Sequence, residues 1–227
     1  AHGWNLLDDA LAYPVAVLRR PALTHNLAWM QDFVQRKGVA LAPHGKTTMS
    51  PELFRLQLQA GAWGLTFANV HQLRVGLAAG AQRAIIANQL VSDADLDGLD
   101  ALLMQHPEVR VWFLVDSLAQ LDALADWAAR RGNTRCWDVL LELGIAGYRT
   151  GCRTHEEALA LAQAIAASPS LTQTFLTLNQ EPTLNNSRRL SGTTTRPHQC
   201  WPRLCLRDMS GPLLTDNRRL AHRPCLE

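Results

Sequence analysis

Lysine is almost missing from this chain. Of 22 basic residues only Lys37 and Lys46 are lysines, so chemistry that needs a side-chain amine has two candidates. No Gly-x-Gly-x-x-Gly turn follows the first apolar run and no Walker-type glycine-lysine loop occurs, which counts against nucleotide binding. No apolar run approaches the roughly 20 residues of a membrane-spanning helix. The opening AHGWNLLDDALAYPV lacks the basic flank and apolar stretch of a secretory signal. The 22 basic residues face 20 acidic ones, and a net charge of +2 excludes a dedicated nucleic-acid binder. Five cysteines, odd in number and irregular in spacing, make no disulfide framework and point to a reducing cytoplasm. What is present is an apolar content of 47% over 227 residues, enough to bury a core.

Composition changes sharply near residue 170. Alanine occurs thirty times in residues 1–170 and once, as Ala221, in residues 171–227. That last stretch carries eight arginines against four acidic residues, and Pro197, Pro202, Pro212 and Pro224 would interrupt any long helix. Residues 171–227 are therefore expected to be an irregular tail. Three explanations stay open: a disordered basic tail, a small second domain, or a coding region read out of frame, the last being favoured. Residues 174–178 are its only plausible strand, and residues 10–168 form the body.

The body alternates short apolar runs with amphipathic segments. Strands are expected at 15–18, 39–42, 65–68, 84–87, 109–115 and 139–143, and helices at 24–37, after Ser50-Pro51, at 71–79, over Leu96 to Leu103, at 118–131 and from Thr154 to about Ala167. Gly38 and Gly132 read as helix ends, Ser50 with Pro51 as a helix start, and Thr154 with Glu157 as a capping box. Six strand–helix units imply a parallel sheet with helices outside, either a barrel or a doubly wound sheet. A closed barrel needs eight strands, so an incomplete (β/α)8 barrel is the fold expected.

In such barrels chemistry gathers at the carboxyl ends of the strands. Those junctions hold His44-Gly45-Lys46, Asn69, Asn88-Gln89, Asp116 and Arg149-Thr150-Gly151. Lys46 is the sharpest feature, because an amine partly buried at the mouth would be tuned toward nucleophilic use. The plainer reading is an exposed loop lysine. Lys37, in a last helical turn, suits the helix dipole.

The stretch LAPHGKTTMSPELFRLQLQAGAWGLTFANVHQ resembles the cofactor-lysine segment of the D-serine dehydratase and D-threonine aldolase family, relatives of alanine racemase. VLLELGIAGYRTGCRT resembles the second barrel motif of its amino acid deaminase subgroup. The resemblance covers about residues 10–168. It implies an alanine racemase N-terminal type barrel and pyridoxal 5'-phosphate held on Lys46 as a Schiff base. Arg149 would lie near the cofactor ring oxygen, with His44 and Thr47 flanking. It implies deamination and dehydration of D-serine-like substrates, with retro-aldol cleavage of the D-threonine type, or a non-catalytic cofactor-binding role, as alternatives. The partners implied are a small D-amino acid and, in intact relatives, a second copy in a homodimer.

Departures from the family are also visible. Its phosphate loops and β-domain follow later in the chain, and metal-dependent members use a late His-x-Cys or His-x-Asp pair for a divalent metal. Nothing after residue 170 matches these. His198-Gln199-Cys200 has ligand-type spacing in surroundings unlike the family's, so no metal ligand is assigned. The chain reads as a truncated form, an impaired catalyst or an inactive product of a disrupted gene.

Overall fold

The computed structural model describes residues 4, 5, 7 and 11–178. Among these, six helices and five strands follow one another: α1 (Arg20–Lys37), α2 (Pro51–Gln59), β1 (Leu65–Phe67), α3 (Val70–Ala78), β2 (Arg83–Gln89), α4 (Asp93–Gln105), β3 (Arg110–Val115), α5 (Leu118–Arg131), β4 (Trp137–Leu143), α6 (His155–Ala167) and β5 (Leu171–Leu178). All neighbouring strands pair in parallel, in the order β1-β2-β3-β4-β5. Sequential order separates the two architectures that the sequence left open. A doubly wound sheet reverses its strand order at a switch point, whereas a barrel sheet winds steadily one way. The chain is a partial barrel.

The helices begin and end for local reasons. Ser50 accepts the Leu53 N–H, Ser92 that of Asp95, Ser117 that of Gln120 and Thr154 that of Glu157, satisfying donors that a first turn leaves without partners. Gly38 and Gly132 close α1 and α5 at φ of 63° and 60°, a left-handed conformation that glycine adopts without a Cβ penalty.

The sheet buries both faces differently. Val111, Phe113 and Val115 of β3, with Val139, Leu141 and Leu143 of β4, join a large core beneath the helices. Trp112, Leu114 and Leu140 form a smaller cluster on the other face, with Trp63 and Ile85 packed against it. Alternation along each strand separates the two sets. Trp127 of α5 and Trp137 of β4 meet edge to face at 5.7 Å. Arg130 and Arg131 of α5, and Arg135 beyond it, pair with Asp93, Asp97 and Asp100 of α4 at 2.7–2.8 Å.

Two expected strands are not strands. Residues 15–18 belong to no ladder, and Val15, Val17 and Leu18 are exposed. An apolar run becomes a strand only when a neighbour satisfies its backbone. Residues 39–42 run beside β1 and reach a single bridge, His44 to Thr66. The bond of Thr66 N–H to the Pro43 carbonyl is present at 2.8 Å, but Pro43 has no N–H to donate for a preceding rung. In the other direction, residue 170 is not the end of the sheet. β5 begins at Leu171 and pairs with β4 from Trp137 to Leu143, correcting the expectation that the tail is irregular from its first residue. Threonine and leucine suit a strand whatever the alanine content of the helices before it. Residues 179–227, including His198 and Cys200, lie outside the described residues.

Candidate functional site

The segment carrying His44 and Lys46 is fixed by its backbone. Gly45 N–H donates to the Thr66 carbonyl at 2.7 Å, Met49 N–H donates to the Gly45 carbonyl at 3.0 Å, and the Thr66 hydroxyl donates to the Ala42 carbonyl at 2.8 Å. A Cβ on Gly45 would stand 2.6 Å from the Phe67 ring and 2.8 Å from the Phe54 ring, so only glycine lets the loop lie this close to the core. Met49, at φ 45°, then turns the chain into α2. The loop backbone is thus pinned where it carries His44 and Lys46.

Lys46 is exposed, as the plainer reading of a loop lysine has it and not partly buried as expected of an activated amine, because the turn that carries it projects beyond the core. Among the described residues its amine has neither a hydrogen bond nor an ion pair. His44 is also exposed, and its pKa is lowered, first by partial desolvation and then by the positive charge of Lys46. The two groups therefore sense each other, and the imidazole stays neutral at physiological pH. Thr47 lies beside them on the exposed turn.

The loop after β4 is the second component. Leu143 bridges Cys152, Gly144 N–H donates to the Cys152 carbonyl at 2.9 Å and Cys152 N–H donates to the Glu142 carbonyl at 2.8 Å. Gly151 has φ 101°, and a Cβ there would meet the Gly144 backbone at 2.4 Å. The Arg153 guanidinium donates to the carbonyls of Ile145 at 2.6 Å, Thr150 at 3.4 Å and Tyr148 at 3.3 Å, and to that of Arg149. Arg149 itself is exposed, and its guanidinium has no hydrogen bond or ion pair among the described residues. Backbone closure and Arg153 shape the loop and leave the Arg149 side chain available.

A third component lies between these loops and was not legible as a unit. Gln89 Nε2 donates to Asp116 Oδ2 at 3.0 Å and to Glu142 Oε2 at 2.6 Å. Asp116 Oδ2 also accepts the Gly151 N–H at 2.9 Å. Glu142 is buried at 4% exposure. Asp116 follows Trp112 and Leu114 at a spacing of two, as Glu142 follows Leu140, so both carboxylates extend the inner face of the sheet at its carboxyl end. The β2 register shifts between Ile86 and Gln89, and this irregularity brings Gln89 into line. Of the other strand-end residues, Asn69 caps α3 and Asn88 donates to the Ala68 carbonyl at 2.7 Å. Both act structurally. Lys37 ends α1.

A free amine beside a neutral imidazole thus stands on the loop before β1 and a free guanidinium on the loop after β4, both toward the carboxyl end of a partial parallel barrel. Among the described residues no group of three or more His, Cys, Asp or Glu side chains is placed to hold a metal, and no helix is long and apolar enough to cross a membrane. That barrel architecture defines the class. Residues 18–182 match the family described as alanine racemase, N-terminal domain, and the chain belongs to it.

Two curated relatives resemble it most usefully. D-threo-3-hydroxyaspartate dehydratase of Delftia sp. (strain HT23) is 30% identical over 149 residues, covering 66% of this chain and 38% of that protein. D-threonine aldolase of Arthrobacter sp. is 34% identical over 151 residues, with the same coverages of 66% and 38%. Among solved structures, D-threonine aldolase from Filomicrobium marinum superposes with a TM-score of 0.65 at 29% identity, covering 73% of this chain and 43% of that one. The chain therefore spans about two fifths of the length of the relatives it matches. The resemblance read from the Pro-His-Gly-Lys segment is borne out at the level of family.

Proposed function

We propose that this chain carries the lysine-bearing part of a pyridoxal 5'-phosphate enzyme that dehydrates and deaminates D-serine-like amino acids. The observation that carries the reading is Lys46: one of two lysines, free of partners among the described residues and carried by a loop whose backbone is pinned at the carboxyl end of the barrel. Its amine would hold the cofactor by its aldehyde. Arg149 would hold a fixed cation toward the ring oxygen, and His44, neutral beside Lys46, can accept a hydrogen bond or proton at a ring nitrogen. Bound there, the cofactor would supply an electron sink for the bond broken at the substrate's α-carbon. A β-hydroxyl on the substrate supplies the leaving group.

The test is reductive trapping. The chain is incubated with pyridoxal phosphate, reduced with borohydride and digested, and the labelled peptide is identified. The label is expected on Lys46 and is expected to vanish in Lys46→Ala but persist in Lys37→Ala. A label confined to Lys37 would sink the proposal. A second reading, retro-aldol cleavage, is supported by the 34% identity to an aldolase. Products separate the two, since D-serine dehydration releases pyruvate and ammonia, whereas cleavage of D-threonine releases glycine and acetaldehyde. A chain that takes the label and forms neither product is the non-catalytic alternative.

A further inference from the structure

We propose that Gln89 and Asp116 are positioning residues, strapping the loop that carries Arg149 to the ends of β2 and β3 and so setting where that guanidinium stands. The inference rests on the reading above only in giving Arg149 a task; the strap itself is a matter of geometry.

The strap is a chain of three hydrogen bonds. One amide nitrogen, Gln89 Nε2, divides its two protons between the carboxylates of Glu142, at 2.6 Å, and Asp116, at 3.0 Å. Asp116 Oδ2 then takes the Gly151 N–H at 2.9 Å. Asp116 is itself anchored from below, because the buried Gln120 accepts its N–H at 3.2 Å while donating to the Leu114 carbonyl at 2.9 Å. The thiol of Cys152 adds a contact to the Asp116 carbonyl at 3.3 Å. Partners 27, 53 and 35 residues apart in sequence thus converge on one point.

Stability alone does not call for this arrangement. Two carboxylates brought to a single amide at the end of an apolar face cost desolvation, and apolar side chains would fill the space as well. A satisfied polar network instead fixes one geometry. The loop it holds has little slack, since Gly151 has no room for a Cβ and Arg149 lies two residues before it. Arg153 holds the backbone carbonyls on the other side. With the backbone held from two sides, the Cα from which the free Arg149 side chain projects is fixed in place.

The experiment compares hydrogen-bond-breaking with hydrogen-bond-keeping variants of the full chain. Asp116→Ala and Gln89→Met remove an acceptor and a donor, whereas in Asp116→Asn the amide oxygen can still take both N–H groups and in Glu142→Gln the amide oxygen can still take that of Gln89. Limited trypsin without cofactor reports loop opening through the bond after Arg149. That cleavage is expected to be about tenfold faster in Asp116→Ala and Gln89→Met and near the parent rate in Asp116→Asn and Glu142→Gln. Gln89→Leu serves if Gln89→Met fails to fold. After loading with pyridoxal phosphate and borohydride reduction, the label on Lys46 is expected to fall severalfold in the opened variants and to return in Asp116→Asn. Unchanged cleavage after Arg149 in the opened variants would overturn the strap, as would Asp116→Asn behaving like Asp116→Ala. A parent chain that takes no label would instead count against the cofactor reading, while the cofactor-free trypsin rates still decide the strap.

Discussion

Cys152 sits where the Arg149 loop closes on β4, and its surroundings set its chemistry. The thiol is pushed up to about 11, first by burial and then by the nearby carboxylates of Asp116 and Glu157. A thiol whose folded pKa is raised contributes stability below its unfolded value near 9.0, and that contribution is lost as pH rises toward about 11. At neutral pH Cys152 is therefore expected to resist iodoacetamide while the partly exposed Cys136 reacts, with Cys152 alkylation appearing only as the pH passes 9 and the fold loosens. Peptide mapping that found equal rates at both cysteines at neutral pH would contradict this. At this scale the candidacy of Lys46 was legible, because scarcity and the Pro-His-Gly-Lys run both marked it, whereas its exposure was not. Arg153 and the Gln89–Asp116–Glu142 network were not. An arginine that binds the carbonyls of the residues just before it looks like any surface arginine, and a bond between partners 53 residues apart leaves no local trace.

The junctions between strands and helices follow a common grammar. In α6 the Thr154 hydroxyl accepts the Glu157 N–H at 3.1 Å, and the Glu157 carboxylate accepts the N–H groups of Thr154 at 3.1 Å and Arg153 at 2.7 Å. The cap therefore anchors the Arg149 loop as well as starting the helix. Thr154→Ala is expected to cost about 1 kcal/mol, measured as a lowered denaturation midpoint, and Thr154→Ser much less. Equal midpoints for the parent and Thr154→Ala would show that Glu157 alone holds this end. Gln72 and Gln120 do related work one residue further back, accepting the N–H of Ala68 at 2.9 Å and of Asp116 at 3.2 Å. Helices were legible because caps are local: Ser50, Gly38, Gly132 and the Thr154–Glu157 pair all stand as read. Strands were less so, since residues 15–18 and β5 differ in partners far more than in composition.

At the scale of the whole molecule, five strands in sequential order curl one way, and this carries the loops after β2, β3 and β4 to one end. The parallel sheet with outer helices was legible in the alternation of apolar runs and amphipathic segments, and the barrel type only through the resemblance to the alanine racemase relatives. Its strand count was not, because the composition break at residue 170 has no counterpart in the sheet, which continues through Leu178. The pairing of Trp127 with Trp137 joins helix layer to sheet at a ring separation of 5.7 Å and an angle of 63°. Two indoles so close and so skewed couple their electronic transitions, so the folded chain is expected to show an exciton couplet in circular dichroism. The Trp63–Trp112 pair, at 5.0 Å and 41°, couples as well, so Trp127→Phe is expected to remove part of the couplet and leave a cooperative melt. A spectrum unaltered by that change would show that the Trp127–Trp137 pair contributes none of it. The molecule thus carries an intrinsic chiroptical gauge of whether α5 is seated on β4, readable without a dye, a ligand or a label.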